Sequence, residues 1–205
     1  MRTVIFGKNF YRLGEEVFKD CEFTEFALPD TITSIDSSTF EGCNSLKTFK
    51  TGNGLTIIPT DAFRYSSALT TVELGNKIHT INSGGFYSCR NLQNINFPEA
   101  LKVIGTEAFY GCSSLKRVVL GKNVQTIGHY AFTSCNQLTY FAFKGEKQPS
   151  CGAKALPSSV EEVYVSYDYD APMDKFCLKE TTRKRNLDGS TNVMISLILL
   201  LLVLL

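Results

Sequence analysis

Five phenylalanines recur at a strict interval of 23 residues through the middle of the chain: Phe40, Phe63, Phe86, Phe109 and Phe132. Two further apolar columns keep this register, an isoleucine five residues before each phenylalanine and a leucine six residues after it. A fixed period of this length is typical of a solenoid, in which each repeat packs only on its neighbours. The repeat therefore predicts that the five phenylalanines stack in one buried column.

Each repeat also predicts one short β-strand. Apolar residues alternate with outward ones after the leucine column, as in Ile95/Phe97 and Val118/Leu120. An alternation of period two is strand patterning. The segment from Thr106 to Cys112 is too short for more than a helical turn or two, so we expect little regular helix.

The pattern divides the chain into four parts: a repeat solenoid over residues 1–165, a C-terminal cap over 166–178, a charged linker over 179–192 and a hydrophobic tail over 193–205. We interpret the strand around Val163 as the last coil. The first residues already fit a repeat, and neither an N-terminal cap nor a secretory signal peptide precedes them. Either the chain is a fragment of a longer protein, or another surface covers this end.

The seven cysteines fall into two groups. Four lie in one repeat column, three residues after a column phenylalanine: Cys43, Cys89, Cys112 and Cys135. Cys21 fits the same column in an earlier copy, and Ser66 replaces cysteine once. Because the column follows an apolar turn, we interpret these cysteines as buried free thiols that act as small hydrophobic side chains. Cys151 and Cys177 lie outside the column and are placed to pair near the C-terminal end.

Charge and composition exclude several functions. With 21 basic and 20 acidic residues the net charge is +1, which removes the electrostatic case for binding nucleic acid. His79 and His129 are the only histidines, occupy different columns and are interpreted as surface or turn residues. We find no catalytic set, no phosphate loop and no metal-ligand spacing. The sequence predicts a non-enzymatic protein with no cofactor and no small-molecule substrate.

One motif occurs twice in nearly unbroken form, as Ile104-Gly105-x-x-Ala108-Phe109-x-x-Cys112-x-x-Leu115 and again from Ile127 to Leu138. It resembles the BspA-like, Treponema-type leucine-rich repeat, and the resemblance covers roughly residues 1–165. It implies a β-rich fold of the α/β horseshoe class: a right-handed leucine-rich repeat solenoid with ~23-residue repeats and a parallel concave sheet. Members are typically surface antigens of bacteria and parasitic protists, and some adhere to host matrix proteins or to other cells.

The concave sheet offers the candidate binding site. Alternate side chains of each strand must point outward, which gives two exposed columns. One column contains Glu25, Thr48, Thr71, Asn94, Arg117, Tyr140 and Glu162, and the other contains Ala27, Lys50, Glu73, Asn96, Val119, Ala142 and Tyr164. We expect these columns to form one continuous face. Tyrosine and arginine dominate binding hot spots, so the predicted site for a protein partner is Arg117, Val119, Tyr140 and Tyr164, with Asn94 and Asn96 beside it.

The tail predicts an association with a membrane. Residues 193–205 are apolar except Ser196, but thirteen residues are fewer than the ~17–25 of an ordinary span. The basic residues Arg183, Lys184 and Arg185 favour a cytosolic repeat domain held by a tail anchor. A glycolipid-anchor signal near Gly189 is the alternative.

Two functions follow from these patterns and from the resemblance. The first is a surface antigen on the cell surface that binds host or cell-surface proteins through the concave face. The second is an intracellular scaffold for protein interactions that its tail tethers to a membrane.

Overall fold

The computed structural model describes residues 4–7, 9–166, 168–170, 175–177 and 179–184. They form a parallel-strand β-solenoid of about seven stacked turns, here called coils. Strands are numbered in chain order. One side of the solenoid, the front face, contains β2 (Glu25–Ala27), β4 (Thr48–Lys50), β6 (Thr71–Glu73), β8 (Asn94–Ile95), β10 (Arg117–Leu120), β12 (Tyr140–Phe143) and β14 (Glu162–Ser166). The back face contains β1 (Arg12–Leu13), β3 (Ser34–Ile35), β5 (Ile57–Ile58), β7 (Thr80–Ile81), β9 (Val103–Ile104), β11 (Thr126–Ile127) and β13 (Ser150–Cys151).

Strand register follows the sequence period. In the parallel pair β4–β6, Phe49 lies opposite Val72, and in the pair β10–β12, Val118 lies opposite Phe141. These inward residues are buried because every second side chain of a strand faces the core. The predicted strands, their parallel pairing and their apolar columns are confirmed.

The turn around each column phenylalanine is not helical. Around Phe109, the flanking residues Glu107 and Gly111 both have positive φ, at 55° and 71°. Such left-handed residues interrupt a right-handed helix. The Phe109 N–H instead donates to the Ala131 carbonyl of the next coil at 2.8 Å. The helical part of the predicted α/β class is therefore not found in the described residues.

The phenylalanine column is the centre of the core. All five rings are fully buried. Consecutive rings stack with centroids 5.1–5.3 Å apart and planes within 11° of parallel. Phe18 extends this stack toward the N-terminus, with its ring 5.4 Å from Phe40. The predicted buried column is confirmed.

The cysteine column is divided between two chemical states. Cys89, Cys112 and Cys135 are buried free thiols, as predicted, and each donates to the carbonyl of the column phenylalanine in the preceding coil at 3.1–3.2 Å. Ser66 makes the same contact, since its hydroxyl donates to the Phe40 carbonyl at 2.8 Å. The free-thiol interpretation is wrong for Cys21 and Cys43, which form a disulfide. Their Cα atoms lie only 4.7 Å apart, because one column on adjacent coils brings side chains within disulfide reach.

The buried thiols predict a loss of stability at alkaline pH. Burial raises the pKa of the Cys89 and Cys112 thiols. The unfolded chain releases these protons above a pKa of about 8.5, whereas the folded chain retains them. Stability is therefore fully present below about pH 8.5 and falls above it, by up to about 1.4 kcal/mol per thiol at one pH unit higher.

The measurement is denaturant unfolding between pH 7 and pH 10, on the wild type and on Cys89→Ser. Because Ser66 already occupies an equivalent position with its hydrogen bond intact, the variant should lose no more than about 1 kcal/mol at pH 7. It should also show a shallower alkaline decline. A decline of unchanged slope in Cys89→Ser would mean that this thiol is not the titrating group.

The C-terminal end of the solenoid is covered by a hairpin. Strand β15 (Lys175–Phe176) pairs antiparallel with β16 (Lys179–Lys184), and β16 pairs in parallel with β14. Phe176 is buried against Phe143, with ring centroids 5.1 Å apart, and Cys177 forms a disulfide with Cys151 of β13. The sequence analysis assigned residues 179–184 to the charged linker. In the structure they form β16, the strand that continues the front face beyond β14.

The N-terminal coil leaves apolar side chains exposed, including Ile5, Phe10, Tyr11 and Val17. The predicted tail, residues 193–205, lies outside the described residues. Within the described part of the chain, no helix has the length and apolar character needed to cross a membrane.

Candidate protein-binding face

Three of the predicted site residues form one stack on the front face. The Arg117 guanidinium lies over the Tyr140 ring, 3.7 Å from its centroid. Tyr140 in turn stacks on Tyr164 with centroids 4.7 Å apart and planes at 25°. Arg117 and Tyr140 are direct neighbours in the β10–β12 register, so the strand pairing itself brings cation and ring together. We name this cluster the Arg117–Tyr140–Tyr164 stack.

Val119 lies two residues from Arg117 on β10, and its side chain is partly exposed. Ala142 differs from expectation because it is buried, although its column points outward. It lies opposite Val119 on one side and Tyr164 on the other, and it is two residues from Tyr140. The large neighbouring rings therefore cover its methyl group. The result is a continuous surface of arginine, aromatic ring and valine.

Arg117 keeps its charge available. Within the described residues it takes part in no ion pair. By contrast, Lys50 and Glu73 farther along the same face pair with each other at 2.9 Å. A stacked guanidinium retains its planar hydrogen-bonding edge while one face covers an aromatic ring. This arrangement favours recognition of an anionic group by Arg117.

Asn94 and Asn96 lie on the coil before the stack, across a break in the sheet pairing. The front face is divided into a four-stranded sheet that ends at β8 and a second sheet that begins at β10. Asn94 is exposed, but the Asn96 amide is used internally, because it accepts from Leu74 N at 2.7 Å and donates to Leu74 O at 2.8 Å. The sheet pairing is therefore interrupted between β8 and β10, although residues on both sides of the break line one groove.

A groove occupies the divided part of the front face. It measures about 590 Å³ and is lined by residues 71–74, residues 93–96 and Arg117. Ile95 forms part of its floor and is only half-buried, whereas its column neighbours Val72 and Val118 are 1% exposed. The groove therefore adjoins the Arg117–Tyr140–Tyr164 stack and adds a depression lined by both polar and apolar residues.

Sequence reasoning missed a second aromatic cluster, which lies on the turns. Tyr87 contacts Tyr65 and Tyr110 with ring centroids 5.6 and 5.0 Å away. The Arg64 guanidinium lies 4.3 Å from the Tyr87 centroid and is held by Asp61 at 3.1 Å. Burial raises the pKa of the Tyr87 phenol. The signal was visible as tyrosines just after the column phenylalanine in three successive repeats.

The two histidines make local hydrogen-bonding contacts within the solenoid. His129 Nδ1 accepts a hydrogen bond from Ala153 N at 2.9 Å, and His79 Nδ1 lies 2.9 Å from the Thr80 hydroxyl. Throughout the described ranges, no group of three or more His, Cys, Asp or Glu side chains is placed to hold a metal ion. Raised pKa values also keep the Cys89 and Cys112 thiols protonated and therefore weakly nucleophilic.

The fold is similar to that of bacterial leucine-rich repeat proteins of known structure. A leucine-rich repeat protein from Bacteroides ovatus is 21% identical with a TM-score of 0.69, over 85% of this chain and 46% of that chain. The T. pallidum leucine rich repeat protein is 23% identical with a TM-score of 0.58, over 78% of each chain. The pneumococcal vaccine antigen PcpA is 17% identical with a TM-score of 0.56, over 93% of this chain and 56% of that chain. At such identities the likeness shows the fold alone, and the chain spans less than half of the Bacteroides protein.

Sequence comparison adds the family. No curated protein matches the chain. The family model for the BspA type leucine rich repeat region matches residues 2–148 in six copies, which is most of the chain and includes every column phenylalanine. The period of 23 residues, the stacked coils and this match lead to one conclusion: the chain belongs to the family of proteins with BspA-type leucine-rich repeats.

Proposed function

We propose that this chain is a non-enzymatic protein-binding module that contacts its partner through Arg117, Val119, Tyr140 and Tyr164. The observation that carries the proposal is the Arg117–Tyr140–Tyr164 stack, with its guanidinium 3.7 Å from the Tyr140 ring and without an ion-pair partner in the described chain. Stacked aromatic and arginine side chains supply large contact area at low entropic cost. Membership in the leucine-rich repeat family supports a protein-interaction or surface-protein role.

The partner class that we propose is a protein of a host or of a neighbouring cell, which makes the chain an adhesive surface antigen. Support comes from the resemblance to the BspA-like family and from the structural likeness to a pneumococcal vaccine antigen. We also take the coil to be right-handed, because parallel β-connections have that sense in nearly all known cases, and the front face to be the concave one.

The double variant Arg117→Ala/Tyr140→Ala tests the site. Binding to a partner captured from cell-surface or matrix proteins should weaken by about 2 kcal/mol, roughly 30-fold, because both members of a hot spot are removed. Calorimetry or surface-based binding kinetics measures the change.

A matched control uses the cluster on the turns. Arg64→Ala/Tyr87→Ala also removes one arginine and one tyrosine in contact, but on a different side of the solenoid. It should leave partner affinity unchanged while both double variants keep the wild-type circular dichroism spectrum. Binding that survives the front-face change and is lost in the control would place the site on the turns.

Surface labelling of intact cells tests the location. An adhesin is labelled by a membrane-impermeant reagent without permeabilisation. Labelling that requires permeabilisation would contradict adhesion and favour the membrane-tethered scaffold.

A further inference from the structure

The groove on the front face contains one charge that is neutralised and one that is not. Among the described residues that line it, Glu73 and Arg117 are charged. The Glu73 carboxylate is paired with the Lys50 ammonium at 2.9 Å, whereas Arg117 takes part in no ion pair within the described ranges. Lys116, the exposed residue before Arg117, likewise has no ion-pair partner there. The groove therefore presents a net positive charge.

The other polar groups of the lining are uncharged. Gln93 and Asn94 are exposed and carry amides, and Thr71 is partly exposed and carries a hydroxyl. Each of these groups is able to donate a hydrogen bond. The Asn96 amide is already bonded to both backbone groups of Leu74. An anion that enters the groove therefore meets donors, and the acid that lines it is already paired.

Arg117 is the boundary between the groove and the stack. One face of its guanidinium covers the Tyr140 ring, 3.7 Å from the centroid, and Tyr140 is supported by Tyr164 at 4.7 Å. This stacking restricts the guanidinium before a partner arrives, so binding costs less side-chain entropy. A guanidinium stacked through one face keeps its N–H edge, which matches the two oxygens of a carboxylate. The geometry therefore favours a planar, bidentate anion.

An apolar contact lies beside this cation. Ile95 is the register equivalent of Val118, one coil before Arg117 and one residue farther along the strand. Its side chain is half-buried and lines the groove. A partner side chain that covers Ile95 removes apolar surface from water, which favours binding. The groove volume of about 590 Å³ is that of a site for a few side chains.

We propose that the groove and Arg117 together recognise an acidic side chain of the partner protein, with an apolar residue beside it. The carboxylate pairs with the Arg117 guanidinium, and the apolar residue covers Ile95. The inference rests on the proposed function and specifies the partner, whose contact surface is acidic. The Lys50–Glu73 ion pair then determines specificity, because it neutralises a carboxylate that would otherwise repel this partner.

Peptide selection supplies the probe. A displayed library of random linear peptides of about 12 residues is selected on the wild-type protein, after sequences that also bind Arg117→Gln are removed. The retained peptides should contain Asp or Glu next to an apolar residue. Retained peptides without an acidic residue, or a selection that retains none, would overturn the proposal.

Neutralising either member of the Lys50–Glu73 pair tests the sign of the partner's charge. Lys50→Gln leaves the Glu73 carboxylate uncompensated and should weaken binding of a selected peptide about twofold. Glu73→Gln leaves the Lys50 ammonium uncompensated and should tighten binding about twofold. Both side chains are more than half exposed, at 53% and 55%, so neither change should disturb the fold. Equal affinities, or shifts of the reverse sign, would contradict an acidic partner.

Substitutions of Arg117 test the carboxylate geometry. Arg117→Lys keeps the charge and the salt dependence of binding but loses the planar edge, so affinity should fall about threefold. Arg117→Gln should fall about tenfold and lose most of the salt dependence. Arg90→Gln removes an exposed arginine outside the groove and is the matched control, with unchanged affinity. Equal binding by Arg117→Gln and Arg90→Gln would show that Arg117 pairs with no carboxylate.

The double variant Arg117→Ala/Tyr140→Ala separates this inference from the proposed function. If it loses the partner protein while Lys50→Gln and Glu73→Gln do not shift peptide affinity in opposite directions, the acidic specificity is wrong and the proposed function stands. If it binds both the acidic peptides and the partner protein as tightly as the wild type, the inference and the proposed binding site both fail.

Discussion

Phe109→Ala lowers the free energy of unfolding by about 3–5 kcal/mol. The ring is fully buried and stacks between Phe86 and Phe132 at 5.2 and 5.1 Å. Its removal leaves a cavity that two flat rings held by their own coils are unable to close. Because each coil packs only on its neighbours, the loss of hydrogen-exchange protection should be greatest in the coils of Phe86 and Phe132.

Tyr110→Ala is the control for this experiment, since it removes an aromatic ring from the adjacent position. Tyr110 stacks on Tyr87 outside the core and is only partly buried. Its loss should cost no more than about 1.5 kcal/mol. A melting profile of Phe109→Ala that matches the wild type would contradict the buried column.

Replacing Cys151 and Cys177 with serine lowers stability by about 2–4 kcal/mol. The disulfide closes a loop with a sequence separation of 26 residues and joins the C-terminal hairpin to the back face. Without it, the hairpin is held by its pairing with β14 and by the buried Phe176. Denaturant unfolding measures the loss, and limited proteolysis should cleave the C-terminal end first.

The Cys21–Cys43 disulfide supplies the comparison. It closes a loop of similar length, with a separation of 22 residues, at the opposite end of the solenoid. Its replacement by serines should therefore expose the N-terminal coil to proteolysis and leave the C-terminal hairpin protected. Identical cleavage patterns for the two double variants would contradict the local coupling of coils.

The buried apolar columns were predictable because every repeat carries the same residue types at the same positions. Phe, Ile and Leu recur at fixed positions, and a stack of coils with one repeat per coil buries each set in one column. The Arg117–Tyr140 contact was predictable for the same reason. Residues one period apart on parallel strands lie opposite each other.

Features set by a single coil were not predictable in this way. Asn96 shares a column with Val119, and nothing in that column shows that its amide bonds to Leu74 and ends β8 early. The Cys21–Cys43 disulfide was missed because the repeat pattern places all cysteines of the column in equivalent positions. It does not show which of them form a disulfide. Strand β16 was missed because its residues, beginning with Lys179 and Glu180, have the polar composition of a linker. They form a strand by pairing with β14, which is a tertiary contact.

Ser66 separates the oxidised pair of the cysteine column from its reduced members. A disulfide migrates only when a thiolate reaches one of its sulfurs and displaces the other. Cys21 and Cys43 are neighbours in the column, but the next sulfur, that of Cys89, lies two coils beyond Cys43, about 10 Å away. The Ser66 hydroxyl between them contains no sulfur and therefore takes no part in thiol–disulfide exchange. Thiol–disulfide exchange along the column therefore stops at Ser66, and the folded solenoid keeps the Cys21–Cys43 pairing at its N-terminal end.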